Sequence, residues 1–199
     1  MSRKESFWTD KLSFLDKIIY RFRVHQLTKY CDFNHKTIVD VGCWYNAIFL
    51  NYIQNQFHPK QLIAFDIKLN TPLLKKQWIA SFEADLNKDF ILPESPDLIL
   101  CTAVLEHLDK PLVFLKNAYK NLKEWWYLVL TVPSKRSKPV LEFLAFKIKL
   151  INALEIRDHK QYYTKELLTD YLQKAWFEKK YIQHHYFELY MNNFVLVKK

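Results

Sequence analysis

The sequence predicts an α/β fold in which helices cover both faces of a mostly parallel sheet, and three observations support this prediction. Short, nearly all-apolar segments such as TIVDV, QLIAFDI and DLILCTA have the composition of strands that are buried on both faces. Segments with apolar residues at helical spacing alternate with them along the chain. Of the 199 residues, 50% are hydrophobic, which is enough for one core of ordinary size.

Residues 1–34 are predicted to form N-terminal helices, because apolar residues recur there with a helical period. These residues are Leu12, Phe14, Leu15, Ile18, Ile19 and Phe22. The segment has no apolar region of the export-signal type, and no apolar run in the chain is long enough to span a membrane. The three cysteines form no paired motif. We therefore expect a cytoplasmic location and no membrane span.

Residues 35–134 alternate between predicted strands and predicted helices. Strands are predicted over 37–42, 61–67, 97–103 and 127–133, and helices over 47–57 and 111–123. A short helix or turn is predicted over 73–80, leading to SFEADL. Residues 135–160 are predicted to be a helical insertion after the fifth strand, with one more helix within 135–157. Because the insertion follows the carboxyl end of a strand, it is a candidate lid over a ligand crevice.

Residues 161–199 are predicted to contain a helix capped by Thr164 and two late strands, near 180–188 and 193–198, of which the last is antiparallel. No repeat and no linker-like composition interrupts the chain. The sequence therefore predicts one domain over residues 1–199.

The first predicted strand leads into the turn DVGCWYN at residues 40–46. In a parallel sheet this turn must let the backbone approach a ligand, which suits glycine or a residue such as Asn46 that tolerates positive φ. The next strand ends in Asp66, whose carboxylate can accept hydrogen bonds from both hydroxyls of a ribose. Two such strand ends in this order indicate a nucleoside-type cofactor.

Six ordered segments resemble the motifs of class I S-adenosylmethionine-dependent methyltransferases of the Glu-His-Leu subfamily. They are TIVDVGC, AFDI, FEADL, PDLILCTAVLEHLDKP, LKEWWYLVLTVPS and YYTKELLTDYLQKAWF, and they cover roughly residues 35–180. The resemblance implies a Rossmann-like, doubly wound sheet with residues 35–134 as the cofactor-binding core and S-adenosylmethionine as the cofactor. It also implies cofactor contacts from Asp40, Gly42, Cys43, Trp44, Asn46, Asp66, Ile67, Asp85, Leu86, Cys101 and Thr102.

Transfer of a methyl group from a sulfonium requires close, aligned approach of a nucleophile, and a base only when the nucleophile carries an acidic proton. The candidate catalytic residues are His107, which follows Glu106 near the implied substrate entrance, and His159, which follows the predicted lid. Asp158, Tyr162 and Tyr163, near His159, are further candidates. Each of these residues could instead have a structural role. The adjacent His184 and His185 lie on a predicted strand without a third ligand at metal spacing, so the sequence predicts no metal site.

The chain has a single glycine, Gly42, where average usage predicts about fourteen. Tryptophan stands at family positions that are usually glycine, namely Trp44, Trp125, Trp126 and Trp176, and Trp78 is a further candidate. Drift from glycine favours alanine, serine, asparagine or aspartate over tryptophan. Our hypothesis is that the gene uses UGA for glycine and was translated with a table that reads UGA as tryptophan. The alternative is a degenerate protein whose cofactor turn is blocked by Trp44.

Three functions follow from these patterns. The first is methyl transfer to a small-molecule, lipid or glycan acceptor. The second is a non-catalytic module with the same fold that has lost cofactor binding. The third is a nicotinamide-dependent oxidoreductase, which FEADL and VLEHL disfavour. The net charge of +9 is compatible with nucleic acid, but lysines scattered through the chain favour compositional bias over a dedicated surface.

Overall fold

The computed structural model describes residues 14–148 and 153–199 of the chain. The part of the predicted N-terminal helices before Phe14, which includes Leu12, lies outside these ranges. The chain divides into two compact units, the first ending at Ala84 and the second running from Asp85 to Lys199. The single-domain assignment over residues 1–199 stays a prediction.

The first unit alternates helices with parallel strands. Its elements are the helix Phe14–Tyr30, β1 Thr37–Val41, the helix Ile48–Gln56, β2 Gln61–Asp66, the helix Thr71–Lys76 and β3 Ala80–Glu83, with strand order β3-β2-β1. β1 and β2 are buried along nearly their whole length, as their apolar composition predicts. The helix at residue 71 begins earlier than expected because the Asn70 side chain accepts a hydrogen bond from the Leu73 N–H.

The second unit contains β4 Leu98–Thr102, the helix Pro111–Asn121, β5 Tyr127–Pro133, the helices Lys138–Glu142, Ala153–Arg157 and Lys165–Lys174, β6 Ile182–Phe187 and β7 Asn192–Lys198. Its strand order is β4-β5-β7-β6. β4 pairs with β5 in parallel, whereas β7 is antiparallel to both of its neighbours. The predicted mostly parallel sheet with an antiparallel last strand is confirmed. Thr164 caps its helix as predicted, accepting from the Leu167 N–H at 3.3 Å.

The insertion differs from its prediction of one helix within residues 135–157. The described part begins with a 3-10 turn at Lys135–Ser137, continues through the helix Lys138–Glu142 into a π-helical segment at Phe143–Ile148, and resumes as the helix Ala153–Arg157. A π-helical turn shifts side chains out of the 3.6-residue period on which the prediction depended.

Four of the five tryptophans in the described residues have left-handed backbone, and we call them the left-handed tryptophans. They are Trp44 with φ 65°, Trp78 with φ 58°, Trp125 with φ 70° and Trp176 with φ 75°. Glycine reaches this region without steric penalty, whereas any residue with a Cβ is strained there. Trp126, which the hypothesis of misread glycine codons also includes, does not belong to the group, because its φ is not positive. Its backbone therefore gives no reason for glycine at this position.

Two of the left-handed tryptophans end helices in Schellman motifs. At the end of the helix Thr71–Lys76, the Trp78 N–H donates to the Lys75 carbonyl at 3.2 Å and the Ile79 N–H donates to the Leu74 carbonyl at 3.0 Å. The end of the helix Lys165–Lys174 has the same pair of bonds around Trp176. Both tryptophans occupy the position of this motif that glycine usually fills.

Trp125 lies in the turn before β5. The Trp126 N–H donates to the Lys123 carbonyl at 3.3 Å, so Trp125 is the third residue of a four-residue turn. A positive φ at this position defines the turns that require glycine or asparagine. The backbone at Trp125 therefore follows the path of a glycine turn.

Candidate functional site

The turn after β1 contains three residues with positive φ within a few positions. They are Gly42 with φ 68°, Trp44 with φ 65° and Ala47 with φ 43°, which immediately precedes the helix Ile48–Gln56. Asn46, for which positive φ was the expectation, does not adopt it. Its side chain instead accepts a hydrogen bond from Asn70 at 2.9 Å, which ties the turn to the segment after β2.

Asp66, at the end of β2, is fixed by this turn. One carboxylate oxygen accepts from the Trp44 N–H at 2.9 Å and the other accepts from the Ile67 N–H at 2.7 Å. An ionised carboxylate has about four acceptor positions, more than the two that these backbone donors occupy. The structure thus brings together three predicted site residues of the first unit: Trp44, Asp66 and Ile67.

Asp40 is 2% exposed, and its Oδ1 atom has no hydrogen-bond partner among the described residues. Burial raises the pKa of this carboxyl well above its usual range, and the neighbouring charge of Asp66 raises it further. Burial also raises the pKa of the Cys43 thiol well above its usual range. Burying a carboxyl group without a hydrogen-bond donor costs free energy, and a ligand that brings a donor or a positive charge offsets this cost.

Replacing Asp40 with asparagine is expected to stabilise the protein increasingly as the pH rises. Because the folded pKa is raised, the folded chain holds this proton where the unfolded chain has lost it, so wild-type stability falls from about pH 4 upward. A folded pKa that exceeds the unfolded pKa by one lowers the free energy of unfolding by about 1.4 kcal/mol at a pH above both values. Urea unfolding of both proteins across pH 4–8 checks this, and parallel pH profiles would contradict it.

In the second unit, Asp85 is oriented by its own loop. Its Oδ1 atom accepts from the Asn87 N–H at 2.9 Å, and this bond lowers the pKa of the Asp85 carboxyl. Leu86 is buried at 5% exposure, Cys101 at the end of β4 is fully buried, and Thr102 beside it is half-buried. The cofactor contacts of these four residues stay predictions.

Both predicted catalytic histidines belong to one cluster in the second unit. His107, at the end of the 3-10 turn Leu105–His107, is hydrogen-bonded through Nδ1 to the Asp158 carboxylate at 2.8 Å. The rings of His107 and His159 meet edge to face with centroids 4.9 Å apart, and His159 Nδ1 lies 3.1 Å from the Tyr162 hydroxyl. Burial raises the pKa of Tyr162 to about 12, so its hydroxyl is protonated at neutral pH.

Asp158 is the residue of this cluster whose role the sequence did not specify. Because an ionised carboxylate only accepts hydrogen bonds, it holds the proton of neutral His107 on Nδ1 and leaves the lone pair on Nε2. A histidine oriented in this way is suited to accept a proton. The sequence named Asp158 only as a further catalytic candidate beside His159, directly after the predicted lid.

Two hydrogen bonds hold the loop after the insertion against the 3-10 turn. The Lys160 N–H donates to the Glu106 carbonyl at 2.8 Å, and the Tyr163 hydroxyl donates to the Leu105 carbonyl at 3.2 Å. The Lys160 ammonium also pairs with Asp109. These contacts bring His159 beside His107 although the two residues are far apart in sequence.

His159 also lines a cleft of about 630 Å³. The volume is within the range of small-molecule sites. Basic residues outnumber acidic ones on its walls, which are formed by Lys135, Lys138, Glu142, Phe146, Ile156, Arg157, His159, Lys160, Gln161, Tyr162, Thr164 and Leu167. Its surface therefore favours a ligand with negative charge.

His184 and His185 lie on β6, outside this cluster. His184 Nε2 lies 2.9 Å from the Asn193 Oδ1 atom, and burial lowers the pKa of the His184 imidazole. In the described ranges, no helix combines the length and the apolarity that a membrane span needs.

A family model described as a methyltransferase domain matches residues 13–181. Three solved structures of S-adenosylmethionine-dependent methyltransferases share the fold. That from Mesorhizobium loti is 13% identical with a TM-score of 0.68, covering 88% of this chain and 96% of its own. Those from Thermotoga maritima and Archaeoglobus fulgidus are each 17% identical with a TM-score of 0.62, covering 94% of this chain and 96% and 100% of their own. No curated protein matches the chain in sequence.

Proposed function

Since the chain belongs to the methyltransferase domain family, we propose that it transfers a methyl group from S-adenosylmethionine to an acceptor that carries an acidic group. The family and the structures named above imply S-adenosylmethionine as the cofactor, and the resemblance of the sequence to this class is confirmed. The observation that carries the proposal is the matched family together with the Asp66 carboxylate held at the end of β2.

The residues of the first unit fit this cofactor in two respects. Asp66 has acceptor capacity for ribose hydroxyls, and the donor that buried Asp40 lacks among the described residues is supplied by an ammonium such as that of a methionine group. Trp44 fits less well, because its indole adds bulk where the turn should expose backbone. The roles of Gly42, Cys43, Asn46 and Ile67 toward the cofactor are part of this proposal.

When bound, the cofactor supplies a methyl group on a sulfonium for in-line displacement. An acceptor with an acidic proton needs a group that takes this proton, and His107 oriented by Asp158 is suited to do so. His159, beside it, is the second candidate. The cleft supports the acceptor class, because Lys135, Arg157 and their basic neighbours favour a carboxylate or phosphate on a small molecule, lipid or glycan.

Calorimetric titration of S-adenosylmethionine, with NADH as the control ligand, tests the cofactor assignment. We expect one molecule bound per chain in the Trp44→Gly variant, weaker binding in the chain as written, and no binding of NADH. A folded Trp44→Gly variant that does not bind S-adenosylmethionine would exclude the assignment. Binding of NADH instead would favour the oxidoreductase.

The second candidate function is a non-catalytic module that has lost its cofactor. The specific observation in its favour is the left-handed Trp44 in the cofactor turn. The same titration separates the two functions, because loss of binding caused by the indole alone is reversed in Trp44→Gly. A chain that has degenerated at several positions would still not bind S-adenosylmethionine after this single replacement.

A further inference from the structure

Glu106, His107 and His159 form a group with the composition of a metal site. Among the residues that the structure describes, these three side chains offer one ligand atom each, and the atoms lie within 4.8 Å of one another. We propose that this group binds a divalent transition metal ion, with Zn²⁺ as the probe. We predicted no metal from the sequence, because the cysteines form no paired motif and the adjacent His184 and His185 lack a third ligand at metal spacing.

The donor set matches the chemistry of such ions. Imidazole nitrogen suits zinc, iron, copper and nickel, and two histidines with one carboxylate leave coordination positions open for water or another oxygen ligand. Glu106 is 1% exposed, so its carboxylate lies in a medium where a nearby positive charge is strongly favourable. This burial distinguishes the group from the exposed acidic clusters that are common without a metal.

Binding requires the three ligand atoms to move closer together. Zinc bonds to histidine and carboxylate ligands measure about 2.0–2.2 Å, so a tetrahedral ion holds its ligand atoms roughly 3.3–3.6 Å apart. The three atoms lie within 4.8 Å of one another, so side-chain rotations that shorten the longest separation by about 1–1.5 Å complete the site. Glu106 and His107 share one 3-10 turn, to which the Lys160 N–H ties the loop of His159.

Asp158 supplies the support that a metal-binding histidine usually has. It holds the Nδ1 atom of His107 at 2.8 Å, which orients the ring and increases the basicity of the other nitrogen. The Tyr162 hydroxyl stands in the same relation to His159, 3.1 Å from its Nδ1 atom. Each imidazole therefore has a partner that fixes the orientation of its ring.

The test is titration of Zn²⁺ into the untagged, chelator-treated full chain, followed by calorimetry and, with Co²⁺, by visible absorption. We expect one ion per chain, and no stoichiometric binding by His107→Ala or His159→Ala. Asp158→Ala should bind about 10- to 100-fold more weakly, because it removes only the support of His107. His58→Gln, an exposed histidine of the first unit, is the matched control and should bind as the wild type does.

Three results would overturn the proposal. They are absence of stoichiometric binding by the wild-type chain, undiminished binding by both histidine variants, and a Co²⁺ spectrum with thiolate bands, which would place the ion on a cysteine. Circular dichroism and unfolding curves of each variant separate loss of ligands from loss of fold. While an ion is bound, His107 and His159 cannot also accept the proton of an acceptor, because one lone pair cannot bind both a proton and a metal. The test of the metal is nevertheless independent of methyl transfer, because all readouts are made without S-adenosylmethionine.

Discussion

Glycine at all four left-handed tryptophan positions is expected to raise the free energy of unfolding by about 4 kcal/mol. Left-handed backbone costs a residue with a Cβ roughly 1–2 kcal/mol, and the greater flexibility of glycine in the unfolded chain offsets part of this, leaving about 1 kcal/mol per position. Trp78 is the clearest single case, because its side chain is 89% exposed. Urea unfolding of the four single variants and the combined variant measures the effect.

Trp126→Gly is the matched control. It lies next to Trp125 but has no positive φ, so glycine relieves no strain there and the variant should be less stable than the wild type. Trp176→Gly should gain less stability than Trp78→Gly, because it also loses ring contacts. The ring centroid of Trp176 lies 5.8 Å from that of Tyr119 and 5.2 Å from the Lys116 Nζ atom. If all five variants lost stability equally, strain at the left-handed positions would be refuted.

This result bears on the hypothesis that UGA was read as tryptophan. Misreading places tryptophan at positions where the fold needs glycine, and the left-handed tryptophans occupy two Schellman positions, the turn before β5 and the turn after β1. Trp78 was only a further candidate from the sequence, and it is the left-handed backbone at this residue that places it in the group. Sequencing the gene would check the hypothesis directly, because each of these codons should be UGA.

Loss of the Asp66 carboxylate is expected to weaken S-adenosylmethionine binding about 100-fold or more. If the proposed site is correct, Asp66→Ala removes two hydrogen bonds to a charged acceptor, each contributing about 1.5–3 kcal/mol. The measurement is calorimetry in the Trp44→Gly background, so that the indole does not mask the change. Asp66→Asn keeps one acceptor oxygen and should lose less.

Asp32→Ala is the control for that experiment. Asp32 is an exposed carboxylate of the same unit that accepts from the Asn34 N–H at 3.0 Å, much as Asp66 accepts from the Ile67 N–H. Its removal should leave cofactor affinity unchanged. Equal affinity of a folded Asp66→Ala variant and its parent would show that this carboxylate does not bind the ribose.

The fold was predictable where local signals and burial agree. The composition of β1 and β2 indicated strands buried on both faces, and Thr164 marked the start of its helix. The insertion was not predictable in detail, because a π-helical segment at Phe143–Ile148 has no signature in apolar spacing.

The candidate site was predictable in part for a different reason. Asp66 could be identified because its place at a strand end is a local property of the sequence. The contact between His107 and Asp158 depends on a loop that returns from the insertion to the 3-10 turn, and this is set by tertiary packing. The grouping of Glu106 with both histidines could not be predicted from the sequence for the same reason.

The position of β7 imposes an order of events on synthesis and folding. β7 lies between β5 and β6 and pairs with both, although it emerges from the ribosome after both of them. Until residues 192–198 have been made, β5 and β6 each present an open edge that invites pairing with other chains. Closure of the second unit is therefore a late, non-local step of folding. Before it, a nascent chain avoids aggregation only through chaperones or through rapid completion of the sheet.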